Sequence, residues 1–399
     1  MHAATVLQKC LSNVFKQMHA ARAGVLIGAV QALLLGRRLI LMDLARAWPG
    51  AQRVRAPLKR LDRLLGNVHL KAERVALYRA MTQWLVRHDR PIIIIDWSAL
   101  RADDRWHLLR AGIPVGGRTL TILEMIYPKS MLASPRAEKA FLRQLQQLLP
   151  PQVRPILVTD AGFRSPWFRA VARLGWDYVG RLRHQTRIKL EGSCDWVGNR
   201  ELHRNASSQA QRFKDVSIVQ SDPWRCDLVL YRKPKQGRFR LTRTGSRSAS
   251  RRSCLAQHSA HDPWLLVVSA GLADLKPSRI VALYGKRMQI EQSFRDLKCE
   301  RMGCAFRYSL TRSIDRLLIL LLLQALATFV AWLKALTLQR RAATDLGGIA
   351  PKRKRPHYSL LRLGWEALRR LHPPNHRRSL CAAYKDPPAF FLQQLELPL

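Results

Sequence analysis

The chain has 399 residues and carries 69 lysines and arginines against 27 aspartates and glutamates, a formal net charge of +42. Self-repulsion of this size disfavours a compact chain unless a polyanion neutralises it, so we expect a nucleic-acid partner. A membrane is the weaker alternative, because the charge runs along the whole sequence instead of flanking an anchor.

Seven cysteines occur without a C-x-x-C pair, which argues against a disulfide framework and against a zinc site. The start of the chain has no apolar run of signal-peptide length. We therefore expect a cytoplasmic protein.

Residues 1–85 show a helical pattern and are predicted to form a DNA-binding domain. Two apolar segments end at glycine signals, and segment 53–67 follows them. In this segment Lys59, Arg60 and Arg63 share one helical face, opposite a row of leucines. A basic amphipathic helix after two short helices suits DNA binding. A solvated charged face on an ordinary bundle explains the pattern nearly as well, and the pattern does not identify which helix reads bases.

Residues 86–183 change to an α/β pattern. A run of four isoleucines, 92–95, ends at Asp96 and is typical of a strand buried on both faces. Two further strands follow as a hairpin across a glycine turn, and a helix is predicted at 135–149. A strand that ends in Asp160, a helix and one more strand complete a mixed sheet with an antiparallel edge.

Residues 184–263 interrupt this alternation and are predicted to form a β-rich insertion. The segment is rich in turn residues, and nine basic residues lie between Arg232 and Arg252. No acid occurs from Leu228 to His261. This density beside strand patterns favours contact with DNA phosphates over a merely solvated loop.

The α/β pattern returns in residues 264–336, which we assign to the second part of the same core. The apolar segment 317–333 approaches the length of a membrane span. It contains Gln324 and Thr328, so a buried core helix is the better interpretation. Residues 337–399 are predicted to form a basic helical C-terminal region.

One segment combines four polar side chains at offsets of three, seven and fourteen residues: Tyr284, Arg287, Glu291 and Lys298. On a single helix these offsets fall within roughly 60° of one another around the axis. The stripe would then carry a phenol, a guanidinium, a carboxylate and an ammonium. This combination suits a surface that grips phosphate and holds a metal ion at the same time.

Asp96 and Asp160 each end an apolar strand, where α/β sheets present ligand-binding groups. An isolated buried carboxylate is costly unless it is paired or metal-bound. Either aspartate alone could cap its strand or pair with an arginine, but a third carboxylate, Glu291, favours catalysis. Three converging carboxylates need a cation, and their hard oxygens suit Mg²⁺ or Mn²⁺. Two such ions about 3.5–4 Å apart would support in-line phosphodiester attack.

The order Asp96, Asp160, Glu291 and the Y-x2-R-x3-E-x6-K spacing of residues 284–298 resemble the DDE transposases of bacterial insertion sequences. More narrowly, the chain resembles the Y-R-E-K group, insertion-sequence group four, which includes the transposases of transposons five and ten. The resemblance covers most of the chain. It implies a ribonuclease-H-like α/β catalytic core interrupted by a β-rich insertion.

The same resemblance implies cut-and-paste transposition with Mg²⁺, through strand hydrolysis, hairpin formation and strand transfer. The implied partners are double-stranded DNA, at the transposon ends and the target, and a second copy of the chain in a synaptic homodimer. The implied location is the bacterial cytoplasm, at the nucleoid.

The resemblance also implies roles for residues around the carboxylates. Trp264 would stack on a displaced base, and Tyr284 and Arg287 would hold the phosphate of that nucleotide. Lys298 would contact the backbone of the transposon end, and Arg181 matches a phosphate-contacting arginine. Without the resemblance, Trp264 could be a core aromatic residue and Arg181 another surface base.

One local departure and two alternative functions stay open. Trp97 and Ser98 follow Asp96, where many relatives have a small hydroxyl residue directly after the acid. A metal-dependent nuclease or junction resolvase of the same fold would have no need for Tyr284, Arg287 and Trp264 together, and it would not produce hairpin ends. A non-catalytic DNA-binding remnant is disfavoured because all three acids are intact.

Overall fold

The computed structural model describes residues 7–182, 186–234, 242, 244–251, 253, 262–301, 303–339 and 359–370. The chain forms two compact units. The first combines Met1–Pro155 with Lys286–Leu399, and the second is Ile156–Gly285. The five domains proposed from the sequence remain a prediction, separate from these two compact units.

The first unit begins with helices that include α1 Ser12–Gln17, α2 Ala20–Gly36, α3 Leu41–Arg46, α4 Arg55–Leu65 and α5 Val68–Leu85. The side chain of Asn67 accepts a hydrogen bond of 2.9 Å from the Leu70 amide and so caps α5. Helix α4 is amphipathic as predicted. Its leucines 61, 64 and 65 are buried, whereas its basic face is exposed and consists of Lys59, Arg60 and Arg63.

A three-stranded antiparallel sheet follows in the first unit: β1 Ile92–Ala99, β2 Trp106–Pro114 and β3 Thr119–Pro128. The isoleucines of β1 are at most 2% exposed, which fits their predicted burial on both faces. The predicted hairpin is formed by β2 and β3, and its register shifts at Ala111 and Gly112. Helix α6 comprises Pro135–Leu148 and is capped by Ser134, whose hydroxyl accepts a hydrogen bond from the Ala137 amide.

The first unit ends with three helices: α10 Met288–Lys298, α11 Ile314–Gln339 and α12 Leu360–Arg370. The elements whose numbers fall between those of the two parts belong to the second unit. Helix α11 is long and apolar enough to cross a membrane by length and composition alone, yet its apolar window is wholly buried. It packs against α2, α5, α12 and β3. Rings from α5 and α11 meet edge to face, with Trp84 5.4 Å from Phe329 and 5.8 Å from Trp332 between centroids. Segment 317–333 is therefore the core helix that the sequence predicted.

The second unit contains seven strands in the order β4-β5-β10-β9-β8-β6-β7. Their bounds are β4 Ile156–Thr159, β5 Asp177–Arg181, β6 Arg187–Lys189, β7 Val197–Gly198, β8 Gln211–Ile218, β9 Trp224–Tyr231 and β10 Trp264–Val268. Strands β4 and β5 are parallel, and the remaining neighbours are antiparallel. Three helices join them: α7 Ser165–Arg173, α8 Asn199–Arg204 and α9 Pro277–Gly285.

The predicted fold class is confirmed. The units carry a mixed α/β architecture consisting of an antiparallel meander, a parallel β-α-β pair and a strand-rich segment between β5 and β10. These are the elements of a ribonuclease-H-like core with a β-rich insertion. Part of the predicted β-rich insertion and most of the basic cluster between Arg232 and Arg252 lie outside the described residues.

Candidate active site

The prediction that Asp96 ends its strand is wrong, because the pairing of β1 with β2 continues as far as Ala99. Asp96 lies near the middle of β1 and is 7% exposed. One oxygen, Oδ1, accepts a hydrogen bond of 2.9 Å from the Trp97 amide. The other, Oδ2, lies 3.9 Å from Nη1 of Arg287. Arg110 stands opposite Asp96 in the register of β1 and β2. The cost of burying this carboxylate is thus offset by a guanidinium and a backbone donor.

Helix α10 places Glu291 beside the same guanidinium. Arg287 occupies the N-cap position, and Glu291 lies in the first turn, where the helix dipole favours an acid. Nη1 of Arg287 is 2.6 Å from Oε1 of Glu291. One guanidinium nitrogen therefore contacts both Asp96 and Glu291, two of the three predicted carboxylates.

The meander positions α10 through its buried face. Ile290, Phe294 and Leu297 are at most 5% exposed, and the helix packs on all three strands of the meander. Ser293 adds a polar contact, because its hydroxyl accepts a hydrogen bond of 2.8 Å from the Thr119 amide of β3. This buried face packs α10, the helix that carries Glu291, against β1.

The prediction of one continuous helix from Tyr284 to Lys298 is wrong. Helix α9 ends at Gly285 and α10 begins at Met288. The link is a tighter turn, in which the Gln289 amide donates to the Lys286 carbonyl at 3.0 Å. Glycine has a low helix propensity, which favours an interruption at this point. Arg287, Glu291 and Lys298 still belong to α10 and its cap, whereas Tyr284 ends the preceding helix.

Lys298 reaches back from the end of α10 to β1. Its Nζ donates a hydrogen bond of 2.6 Å to Oγ of Ser98, and it lies 5.5 Å from the centre of the Phe294 ring. Burial lowers the pKa of this ammonium to about 8, and the neighbouring charges of Arg110 and Arg307 act in the same direction. Asp96 opposes them by favouring the charged form. Lys298 thus carries a partly desolvated charge, next to the strand that holds Asp96.

A buried polar network behind the site was missed by the sequence interpretation. Arg110 and Glu124 are both fully buried and form an ion pair, with Nε donating to Oε1 at 2.7 Å. The Tyr78 hydroxyl donates to the other oxygen of Glu124 at 2.7 Å, and an Arg110 nitrogen donates to Gln324 at 3.3 Å. The Arg110 guanidinium also lies 5.1 Å from the Phe294 ring centre. A charged residue at the centre of each apolar strand, β2 and β3, was the signal that could have revealed it.

In the second unit, Asp160 follows the last residue of β4. Its Oδ1 accepts a hydrogen bond of 2.7 Å from the Gly162 amide, which fixes the carboxylate over the turn. A Cβ atom on Gly162 would lie 2.8 Å from the same oxygen. The turn therefore needs a glycine at this position to keep the carboxylate in place.

Three predicted DNA-contacting residues lie together in the second unit. Trp264 begins β10 and is half-buried, and its ring meets the buried Tyr284 edge to face at 4.8 Å between centroids. Tyr231, opposite Trp264 on the neighbouring strand β9, lies 5.8 Å from it between ring centroids. Arg181 ends β5 and donates to the carbonyl of Pro263 at 3.2 Å, directly before Trp264.

The carboxylates divide between the units, with Asp96 and Glu291 in the first and Asp160 in the second. In the part of the chain that the structure describes, no group of three or more His, Cys, Asp or Glu residues is placed to hold a metal ion. Asp96 and Glu291 nevertheless fit one by their chemistry, since their oxygens already converge on one cationic group, that of Arg287. Hard carboxylate oxygens of this kind suit Mg²⁺ or Mn²⁺.

Comparisons with known proteins assign most of the chain to one family. The family described as Transposase DDE domain matches residues 87–329, well over half of the chain. Curated protein sequences give no match. A solved structure of a piggyBac transposase synaptic complex with hairpin DNA is similar at 12% identity, with a TM-score of 0.41, and the match covers 100% of this chain and 80% of that one. A TM-score at this level does not establish a shared fold, so the family match carries the assignment.

Proposed function

Because this chain belongs to the transposase DDE domain family, we propose that it is a cut-and-paste transposase of the Y-R-E-K group, insertion-sequence group four. The observation that carries the proposal is the contact of Arg287 with both Asp96 and Glu291. It joins the arginine and the glutamate of the Y-R-E-K spacing to the buried aspartate of β1. An ordinary surface ion pair would not require a buried strand carboxylate as its second partner.

Asp96, Asp160 and Glu291 are the proposed ligands of two Mg²⁺ ions, for which Mn²⁺ can substitute. When bound, such ions would activate the attacking water or 3′-hydroxyl and stabilise the leaving oxygen of the phosphodiester. The chain's own contribution is to hold the carboxylates in place. The Trp97 amide fixes Asp96, the Gly162 amide fixes Asp160, and α10 fixes Glu291 against the meander.

The hairpin step is proposed to use the aromatic pair of the second unit. A base that leaves the duplex loses its stacking, and an aromatic ring offsets that cost. Trp264 is half-buried and so keeps part of its ring accessible, while the contact with Tyr284 fixes its orientation. Tyr284, Arg287 and Arg181 are proposed to bind the phosphates around the displaced nucleotide.

Lys298 is proposed to bind the transposon-end backbone, and the exposed face of α4 to bind duplex DNA through Lys59, Arg60 and Arg63. Contact with a phosphate would favour the charged form of Lys298, which burial disfavours in the free protein. A homodimer that bridges two ends in a bacterial cell completes the proposal.

The test is incubation of DNA that carries the ends of the element with the full chain and Mg²⁺, followed by denaturing electrophoresis. We expect nicks, then hairpin ends, then strand-transfer products. Trp264→Ala should reduce hairpins more than nicks, since stacking on an aromatic ring contributes roughly 1–3 kcal/mol per base. Nicks without hairpins from the wild type would favour a nuclease or resolvase. Binding without any cleavage would favour a non-catalytic DNA-binding protein.

A further inference from the structure

The second unit contains an open groove of about 1180 Å³ that none of the proposed steps uses in full. This volume exceeds the roughly 300–1,000 Å³ of most small-molecule pockets. The groove starts at the turn after β4 and continues past the end of β5 to the turn between β8 and β9. Its lining residues include Ala161, Arg164, Ser165, Arg181, Arg187 and Gln220.

Three arginines give the groove its charge. Arg164, Arg181 and Arg187 line it, whereas Asp262 is the one acid among the described lining residues. Within the described ranges none of the three arginines forms an ion pair with a carboxylate. Arg181 and Arg187 are held by backbone carbonyls, those of Pro263 and Trp196. Arg181 and Arg187 are therefore held in position, and no described carboxylate neutralises them.

The start of helix α7 adds a second source of positive potential. Arg164 is its N-cap residue, and Ser165 and Pro166 open its first turn in the groove. No acid lies in this first turn, and no side chain caps it. A helix N-terminus presents backbone donors and a partial positive charge, which suits phosphate.

Apolar side chains form much of the remaining wall. Pro166 is exposed, Val219 is half-buried, and Leu182 is buried. An unpaired base can place its flat face against such a wall while its phosphate binds an arginine. Duplex DNA keeps its bases stacked and offers the wall no such face.

The groove adjoins a proposed catalytic carboxylate. Asp160 is followed directly by Ala161, which lines the groove, and its Oδ1 is held by Gly162 of the same turn. A strand whose scissile phosphate lies at Asp160 has this groove as a neighbouring path. Arg181, at the end of β5, is part of the same wall.

We propose that this groove binds a single-stranded DNA segment next to the cleavage point, with phosphates on Arg164, Arg181 and Arg187 and bases against the apolar wall. The proposal rests on the proposed transposase function in one respect, the position of the scissile phosphate at Asp160. The binding itself needs no metal ion and no catalysis.

The test cross-links a single-stranded 5-bromodeoxyuridine oligonucleotide of mixed sequence to the full wild-type chain in EDTA and maps the labelled peptides by mass spectrometry. We expect label in residues 161–168 and 218–221. The double variant Arg164→Glu/Arg187→Glu should lose this label. The matched control Arg173→Glu/Arg225→Glu reverses two exposed charges of the same unit outside the groove and should keep it.

Salt dependence gives a second readout of the same contacts. The slope of log K against log salt is negative, and losing two phosphate contacts on a single strand should reduce its magnitude by about 1.4. The neutral double variant Arg164→Gln/Arg187→Gln should show this loss even if the charge reversal impairs folding. Substitution of Arg173 and Arg225 by glutamine serves as its control.

Three results would overturn the proposal. The first is a wild-type chain without label in the groove peptides, and the second is equal loss of label in both double variants. The third is equal labelling of the groove by a duplex of the same length, which would remove the single-strand assignment. Cleavage without groove labelling would refute only this inference, whereas groove labelling without cleavage would refute only the proposed function.

Discussion

Arg287 is the residue that links the sequence pattern to the geometry of the first unit. The spacing of the Y-R-E-K stripe placed it one helical turn from Glu291, and the structure shows the corresponding ion pair of 2.6 Å. Its approach to Asp96 could not be derived from spacing, because it depends on how α10 packs against β1. The result is a cation held between two proposed metal ligands.

This position predicts a competition between Arg287 and a divalent ion. Removing the guanidinium in Arg287→Gln removes a positive charge close to both carboxylates, so repulsion of a second cation falls. We expect tighter Mn²⁺ binding by calorimetry together with slower DNA cleavage. The control Arg295→Gln changes an exposed side chain of the same helix and should alter neither Mn²⁺ binding nor the rate of DNA cleavage. Weaker Mn²⁺ binding in Arg287→Gln would contradict this interpretation.

Lys298 predicts a pH dependence of stability. Burial lowers its pKa from the ordinary value of 10.5 to about 8 in the folded chain. Between these values the unfolded chain binds more protons, so the contribution of Lys298 to stability rises with pH. The free energy of unfolding of the wild type relative to Lys298→Met should therefore increase above pH 8, by up to about 1.4 kcal/mol per pH unit. Urea denaturation at several pH values measures this, and a difference that is constant or falls would contradict it.

At the element scale, the buried pair of Arg110 and Glu124 holds together the parts that carry the site. It joins β2 to β3 and reaches α5 through Tyr78 and α11 through Gln324. The same guanidinium lies against Phe294 of α10. Because Phe294 also lies near Lys298, the network supports the helix that carries Glu291.

Breaking this pair should cost far more than replacing it. Glu124→Leu leaves Arg110 buried without its carboxylate, and we expect a loss of roughly 3–5 kcal/mol in unfolding free energy. The double variant Arg110→Met/Glu124→Leu removes both charges and should recover most of that loss. Chemical denaturation of the three proteins measures the effect. Equal instability of the single and double variants would show that the loss comes from packing, not from the unpaired charge.

Individual elements show how far the sequence could be read. The isoleucine run before Asp96, the amphipathic α4 and the buried α11 were predictable, because burial imposes a local period on the sequence. The interruption between α9 and α10 could not be predicted, since a single glycine is tolerated in many helices. The Arg110–Glu124 pair was also missed, because a pairing between strands depends on register and not on spacing along one strand.

At the scale of the whole molecule, the net charge of +42 and the proposed catalytic acids make opposite demands. The basic excess attracts DNA phosphates and predicts binding that weakens steeply with salt. The acids must stay available to a metal ion although arginines surround them. Arg287 pairs with Asp96 and Glu291 and so competes with a metal ion for them, whereas the groove arginines of the second unit have no carboxylate partner among the described residues.

The central claim is that three carboxylates carry the chemistry. It is tested most directly by single-turnover cleavage of end-bearing DNA in Mg²⁺ by Asp96→Asn, Asp160→Asn and Glu291→Gln. DNA binding in EDTA is measured in parallel, and Glu300→Gln, at an exposed acid, serves as the control. Each of the three variants should bind DNA but lose more activity than the roughly 10–100-fold typical of changes to partners of metal ligands. Cleavage at the wild-type rate by any one of the three would contradict the claim.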